Sequence, residues 1–106
     1  MKLDKALFKE HIAYLNDLKD VVKLVNRLHQ QDENNTLYSH IFAEDISYQF
    51  IYKIERKTHY WELNKYYDNS DKERETYRAQ TPEELWDIVS KAWDLEAESE
   101  GEVDEQ

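Results

Sequence analysis

Between residues 46 and 55 the chain alternates. Ile46, Tyr48, Phe50, Tyr52 and Ile54 fall on one side of a pleated strand, and Ser47, Gln49, Ile51, Lys53 and Glu55 on the other. β-branched and aromatic residues dominate, as a half-buried sheet surface favours. A lone strand has nowhere to put such a face. It needs neighbouring strands and a covering layer, so this stretch commits the chain to a sheet with something packed on one side.

The flanks supply both. Residues 59 to 66, with Trp61 and Leu63 pointing one way, read as a second strand joined to the first by the charged turn Arg56-Lys57-Thr58. Asp68 to Lys72 is a further turn, and Glu75 to Ala79 fits a short third strand. From residue 5 to 30, Phe8, Ile12, Leu15, Leu18, Val22, Val25 and Leu28 recur at steps of three and four, which predicts one long amphipathic helix. Asp4 suits its N-cap. Leu37, Tyr38, Ile41 and Phe42 fit a short helical turn at i, i+4, so residues 37–44 are read as a short helix. Thr81-Pro82-Glu83-Glu84 places a capping threonine, a proline in the first helical position and a glutamate three after the cap. It predicts a helix from Pro82 to about Leu95.

The expected fold is therefore α+β: a three-stranded antiparallel meander packed against a long N-terminal helix and a C-terminal helix, in the order α, short α, β, β, β, α. With 106 residues one domain is the natural count, placed at residues 1–95, followed by an acidic tail at 96–106 that cannot bury anything and is expected to be disordered.

Charge is unevenly spread. The chain carries 24 acids and 14 bases, a net −10, with six of the acids and no base in residues 96–106. The tail contributes −6 and the body −4. Such a balance disfavours general attraction to nucleic acid or to an anionic membrane. No uninterrupted apolar run approaches a membrane span or a signal core, and the expected location is cytoplasmic.

Several chemistries are closed. The single glycine, Gly101, lies in the tail, so no glycine-rich loop can bring backbone amides against a phosphate. With no cysteine there is no disulfide framework, thiol nucleophile or cysteine zinc site. His11, His29, His40 and His59 contain no i, i+3 or i+4 pair, and ordinary hydrogen-bonding roles account for them. No cofactor is expected. Asp45 followed by Glu55-Arg56-Lys57 resembles the outline of the D…(D/E)-x-K signature of metal-dependent nucleases, which implies Asp45 and Glu55 on a divalent ion and Lys57 at the attacking water. In a chain with 36% charged residues this spacing arises easily by chance. Solvated charges at a hairpin tip explain it as well.

What remains favours binding. Tyrosines and tryptophans crowd the C-terminal half, more than a core this size absorbs, and these residue types concentrate at interface hot spots. Tyr60, Tyr66, Tyr67, Asp68, Asp71 and Glu73 are the candidate contact residues. The expected function is a non-catalytic, protein-binding module. Its specific form is an inhibitor of a nucleic-acid-handling protein, with carboxylates standing where phosphates would. In size, charge and element order the chain is similar to small acidic phage and mobile-element products such as anti-CRISPR and anti-restriction proteins. An immunity or regulatory subunit, or a homodimeric structural protein, is the alternative.

Overall fold

In a computed structural model that describes residues 3–30, 34–55 and 58–95, two helices lie on one face of a four-stranded sheet. The elements are α1 (Lys5–Leu28), β1 (Asn34–Phe42), β2 (Ile46–Glu55), β3 (Thr58–Tyr67), β4 (Glu75–Ala79) and α2 (Pro82–Ala92). The strands follow one another in the order β1-β2-β3-β4, each antiparallel to its neighbour. The fold is α+β. The tail at 96–106, residues 31–33 and the hairpin tip at 56–57 lie outside the described residues.

The sheet has one strand more than the sequence reading allowed. The segment assigned to a short helix at 37–44 is instead most of β1. Its two faces are mixed, with Leu37 and Ile41 facing the core beside two polar residues, which is why it does not read as a strand. Asn35 and Ser39 point toward the helices, where Asn35 Oδ1 accepts from Asn26 Nδ2 (2.8 Å) and Ser39 Oγ shares a hydrogen bond with His11 Nδ1 (2.6 Å). Tyr38, His40 and Phe42 point the other way, and Phe42 is 77% exposed. These two polar residues can face in because α1 supplies their partners, so apolar and polar residues share the inward face.

The core forms where the helices meet β2 and β3. Tyr48, Phe50, Tyr52 and Ile54 from β2, and Trp61 and Leu63 from β3, face Phe8, Ile12 and Leu15 of α1 and Leu85, Trp86 and Val89 of α2. Leu3 and Leu95, just outside the two helices, are buried in the same cluster. Phe8 packs its ring against both Phe50 (5.8 Å) and Trp86 (5.1 Å), tying both helices to the sheet.

Helix boundaries follow the local chemistry. Asp4 Oδ1 accepts from the Leu7 amide (2.8 Å), and Thr81 Oγ1 accepts from the Glu84 amide (3.1 Å). At the C-terminal ends Gln30 and Asp94 adopt φ 56°, the left-handed conformation that usually falls to glycine. α2 accordingly stops at Ala92, short of the expected Leu95. On α1 the apolar stripe is only half used. Phe8, Ile12 and Leu15 are buried, whereas Val25 and Leu28 are exposed.

Candidate functional site

Both helices cover the same face of the sheet, so the other face is open. Cross-strand register arranges its side chains in rows. Phe42, Ser47 and Tyr66 form the first, at the end where β1 turns into β2. His40, Gln49, Asn64 and Thr76 form the second, and Tyr38, Ile51, Glu62 and Arg78 the third. Thr36, Lys53 and Tyr60 form the fourth.

The middle rows make one hydrogen-bonded network. Asn64 Nδ2 donates to Gln49 Oε1 (3.1 Å) and to Glu62 Oε2 (2.8 Å), and its Oδ1 accepts from Thr76 Oγ1. Tyr66 OH donates to the same Gln49 oxygen (3.1 Å), and Gln49 Nε2 donates to His40 Nε2 (3.2 Å). Arg78 Nε donates to Glu62 Oε1 at 2.5 Å. Glu62 and Asn64 are buried, Asn64 to 2% exposure, on a face that no helix or second sheet among the described residues covers. Neighbouring side chains do the covering. Arg78 lies over the Tyr60 ring (4.8 Å) and Arg74 over the Tyr66 ring (5.8 Å). Tyr38, His40 and Phe42 stack in sequence along β1. The result is a stiff, fully bonded polar centre with aromatic rings at its margins. Little side-chain freedom is left to lose when something docks on it.

An acidic rim adjoins the first row. The β1–β2 loop brings Glu44 and Asp45, and the β3–β4 loop brings Asp68, Asp71 and Glu73 to the same end of the sheet. The loops are tied together, since the Asp68 amide donates to the Asp45 carbonyl (2.9 Å) and Asn69 Nδ2 to Asp45 Oδ1 (3.0 Å). Asp68 Oδ2 also accepts from Ser47 Oγ (2.6 Å).

The candidate residues read from the sequence thus divide. Tyr60 and Tyr66 share the open face but stand in its fourth and first rows, about 20 Å apart at strand spacing. Asp68, Asp71 and Glu73 belong to the rim. Tyr67 faces the helices instead, donating to Glu75 and lying beneath Lys72 (4.5 Å) and Lys65 (5.2 Å). Burial, then the Glu75 carboxylate, push its phenol up to about 12. Gln49, Asn64, Glu62 and Arg78 were missed. The signal for β3 was present in Tyr60, Glu62, Asn64 and Tyr66, a polar set alternating with Trp61 and Leu63, but nothing in it marks burial.

The nuclease outline does not assemble. Asp45 precedes β2 and Glu55 ends it, so the two carboxylates stand about 30 Å apart at strand spacing, far beyond a shared ion. Lys57 lies outside the described residues. Among the described residues no three His, Asp or Glu side chains group as a metal site requires. A second concavity, a cleft of 370 Å³ between α1 and α2, is lined mainly by apolar atoms of Phe8, Ile12, Pro82 and Trp86. No helix among the described residues is long and apolar enough to cross a membrane.

No family model, curated protein or solved structure matches this chain. Its function is therefore argued from the open face and its rim.

Proposed function

We propose that the protein is a non-catalytic binding module that docks another protein on the open face of its sheet. The observation that carries this reading is the buried pair Glu62 and Asn64 on an otherwise uncovered face, held in a closed hydrogen-bond network and framed by tyrosines and arginine. Tyr and Arg are the residue types that dominate interface energetics, and a rigid centre lowers the ordering cost of docking.

The rim suggests the partner's chemistry. Five carboxylates against Lys72 and Arg74 leave the two tied loops at −3, which favours a basic face, and the net charge of −10 would steer it from a distance. The specific form of the proposal is inhibition of a nucleic-acid-handling protein whose phosphate-binding surface meets the rim. The open face itself does not carry that mimicry, because Glu62 is paired with Arg78 and the neighbouring row adds the positive charge of Lys53.

The test is affinity capture with the wild-type protein, the Tyr66→Ala variant and the Asp71→Lys/Glu73→Lys variant, followed by challenge with duplex DNA and with RNA. The expected result is a partner held by the wild type, released by nucleic acid and lost from both variants. A partner that nucleic acid fails to displace removes the mimicry and leaves the docking. A partner held equally by all three proteins removes the open face as the site.

A further inference from the structure

Edge strands expose a row of unpaired amides and carbonyls, and soluble proteins normally guard them with lysine, proline, a bulge or shortness. The two edges of this sheet differ. β4 is five residues long and carries Glu75 and Arg78. β1 is nine residues long, reads Asn-Asn-Thr-Leu-Tyr-Ser-His-Ile-Phe, and holds no Lys, Arg, Asp, Glu or Pro. Its register with β2 runs unbroken from Asn34 to Phe42, so no bulge turns it aside. In a chain with 36% charged residues, that is an unguarded edge.

A second observation falls on the same side. Eight large apolar side chains are exposed among the described residues, and all but Ile88 belong to α1 or β1. On α1, Tyr14, Val21 and Leu28 are seven residues apart, two helical turns each, and Val25 flanks them. Tyr14 lines a groove with Glu10 of α1 and with Tyr38, Ser39 and His40 of β1, which places the Tyr14 end of this stripe above the β1 edge. The opposite side of α1, with Ile12 and Ala13, borders the cleft toward α2. Among the described residues, the unpaired edge of β1 and the Tyr14 end of an unpartnered helical stripe therefore share one side, in two layers.

We propose that this side pairs with a second copy of the chain, β1 against β1 and α1 against α1 about a two-fold axis, making one continuous eight-stranded sheet. Charge selects the occupant. Two copies of a chain carrying −10 repel least where they meet through a stretch without charge, and β1 is such a stretch. Symmetry agrees, because a strand paired antiparallel to itself is isologous and closes at two. The size also suffices. A strand edge about 30 Å long and two layers, roughly 20 Å, deep presents roughly 600 Å² per copy before side chains interdigitate, close to the ~800 Å² of a standard interface. This proposal does not rest on the docking reading, since it uses the backbone edge of β1, although Tyr38 also stands in the third row of the open face.

Tyr38 is the middle residue of β1, so pairing centred on the strand sets it opposite its own copy. Sedimentation and light scattering across a range from micromolar to near-millimolar should give the wild type a mass rising from 12.9 kDa toward twice that value. Tyr38→Lys and Tyr38→Glu, at a half-exposed position, should each stay monomeric with unchanged circular dichroism. An equimolar mixture of the two should recover the doubled mass, as opposite charges meet across the axis. β1 amides should gain protection from hydrogen exchange with rising wild-type concentration. A wild type fixed at 12.9 kDa overturns the proposal, as does a mixture that stays monomeric.

Discussion

Glu75 gathers three donors onto one carboxylate. Tyr67 OH donates to Oε2, while Trp93 Nε1 (2.9 Å) and Tyr77 OH (3.3 Å) share Oε1. Together they link β3, β4 and the end of α2. The Tyr67 bond, more than the others, holds the Glu75 carboxyl below the ordinary glutamate range, with Lys65 adding to it. Its pKa is lowered on folding, so its contribution is present above the ordinary glutamate value and is lost as pH falls through the lowered one. Tyr67 runs the other way. Its phenol is raised from 10.0 to about 12, so its contribution is full below 10.0 and is lost as pH rises through about 12. Glu75→Gln removes the charge but not the burial. We expect the variant to lose about 1 kcal/mol at neutral pH, below the usual range for a charged acceptor because the site is partly exposed. Tyr67 should then ionise earlier. The check is phenolate absorbance on alkaline titration, taken as the difference between each protein and its Tyr67→Phe counterpart. Tyr67 titrating alike in the wild type and in the Glu75→Gln variant would show that the carboxylate does not hold the phenol.

At the level of elements, the two ends of α2 make opposite predictions. Its N-cap is supplied by Thr81, and Thr81→Ala should lower stability by about 1 kcal/mol. Past its C-terminus Asp94 sits at φ 56°, where a side chain crowds the backbone, and Asp94→Gly should raise stability by about 0.5 kcal/mol once glycine's looser unfolded state is counted. Urea melts of the two variants should move to opposite sides of the wild type; movement in the same direction would refute the assignment of one end. Those ends show what the sequence discloses. Thr81-Pro82 and Asp4 are chemical signals that act within one helical turn, so they could be read directly. β2 was legible because its inward residues are all apolar. β1 was not, because His11 and Asn26 of α1 satisfy its inward Ser39 and Asn35, partners on another element that the local pattern of β1 does not show. The open face failed to show itself for a related reason. Asn64 looks like a solvated strand residue until Gln49 and Thr76 are brought beside it by pairing on both sides. Polar residues that find their partners across strands leave no local mark.

For the whole molecule, edge and face are separable surfaces with a common geometry. Pairing two copies through β1 would set the two open faces side by side on one continuous sheet and carry two acidic rims to its opposite ends. Any partner with two binding surfaces could then engage both, and the second contact would form at a raised effective concentration. The two surfaces should therefore separate under mutation. Tyr66→Ala, on the open face, should abolish capture of the partner while leaving the mass of the assembly unchanged. Leu28→Glu, at a position 70% exposed on the α1 stripe, should yield a monomer whose affinity for a single, soluble partner molecule matches the wild type. Against the same partner immobilised at high density, that monomer should dissociate faster, with apparent affinity reduced by on the order of a hundredfold. Surface binding measured at sparse and dense partner coverage distinguishes the cases. Equal loss at both densities would mean that Leu28 itself touches the partner and that edge and face are one surface. Equal binding at both densities, with the wild type dimeric, would mean that the two faces are turned so that one partner surface cannot reach both.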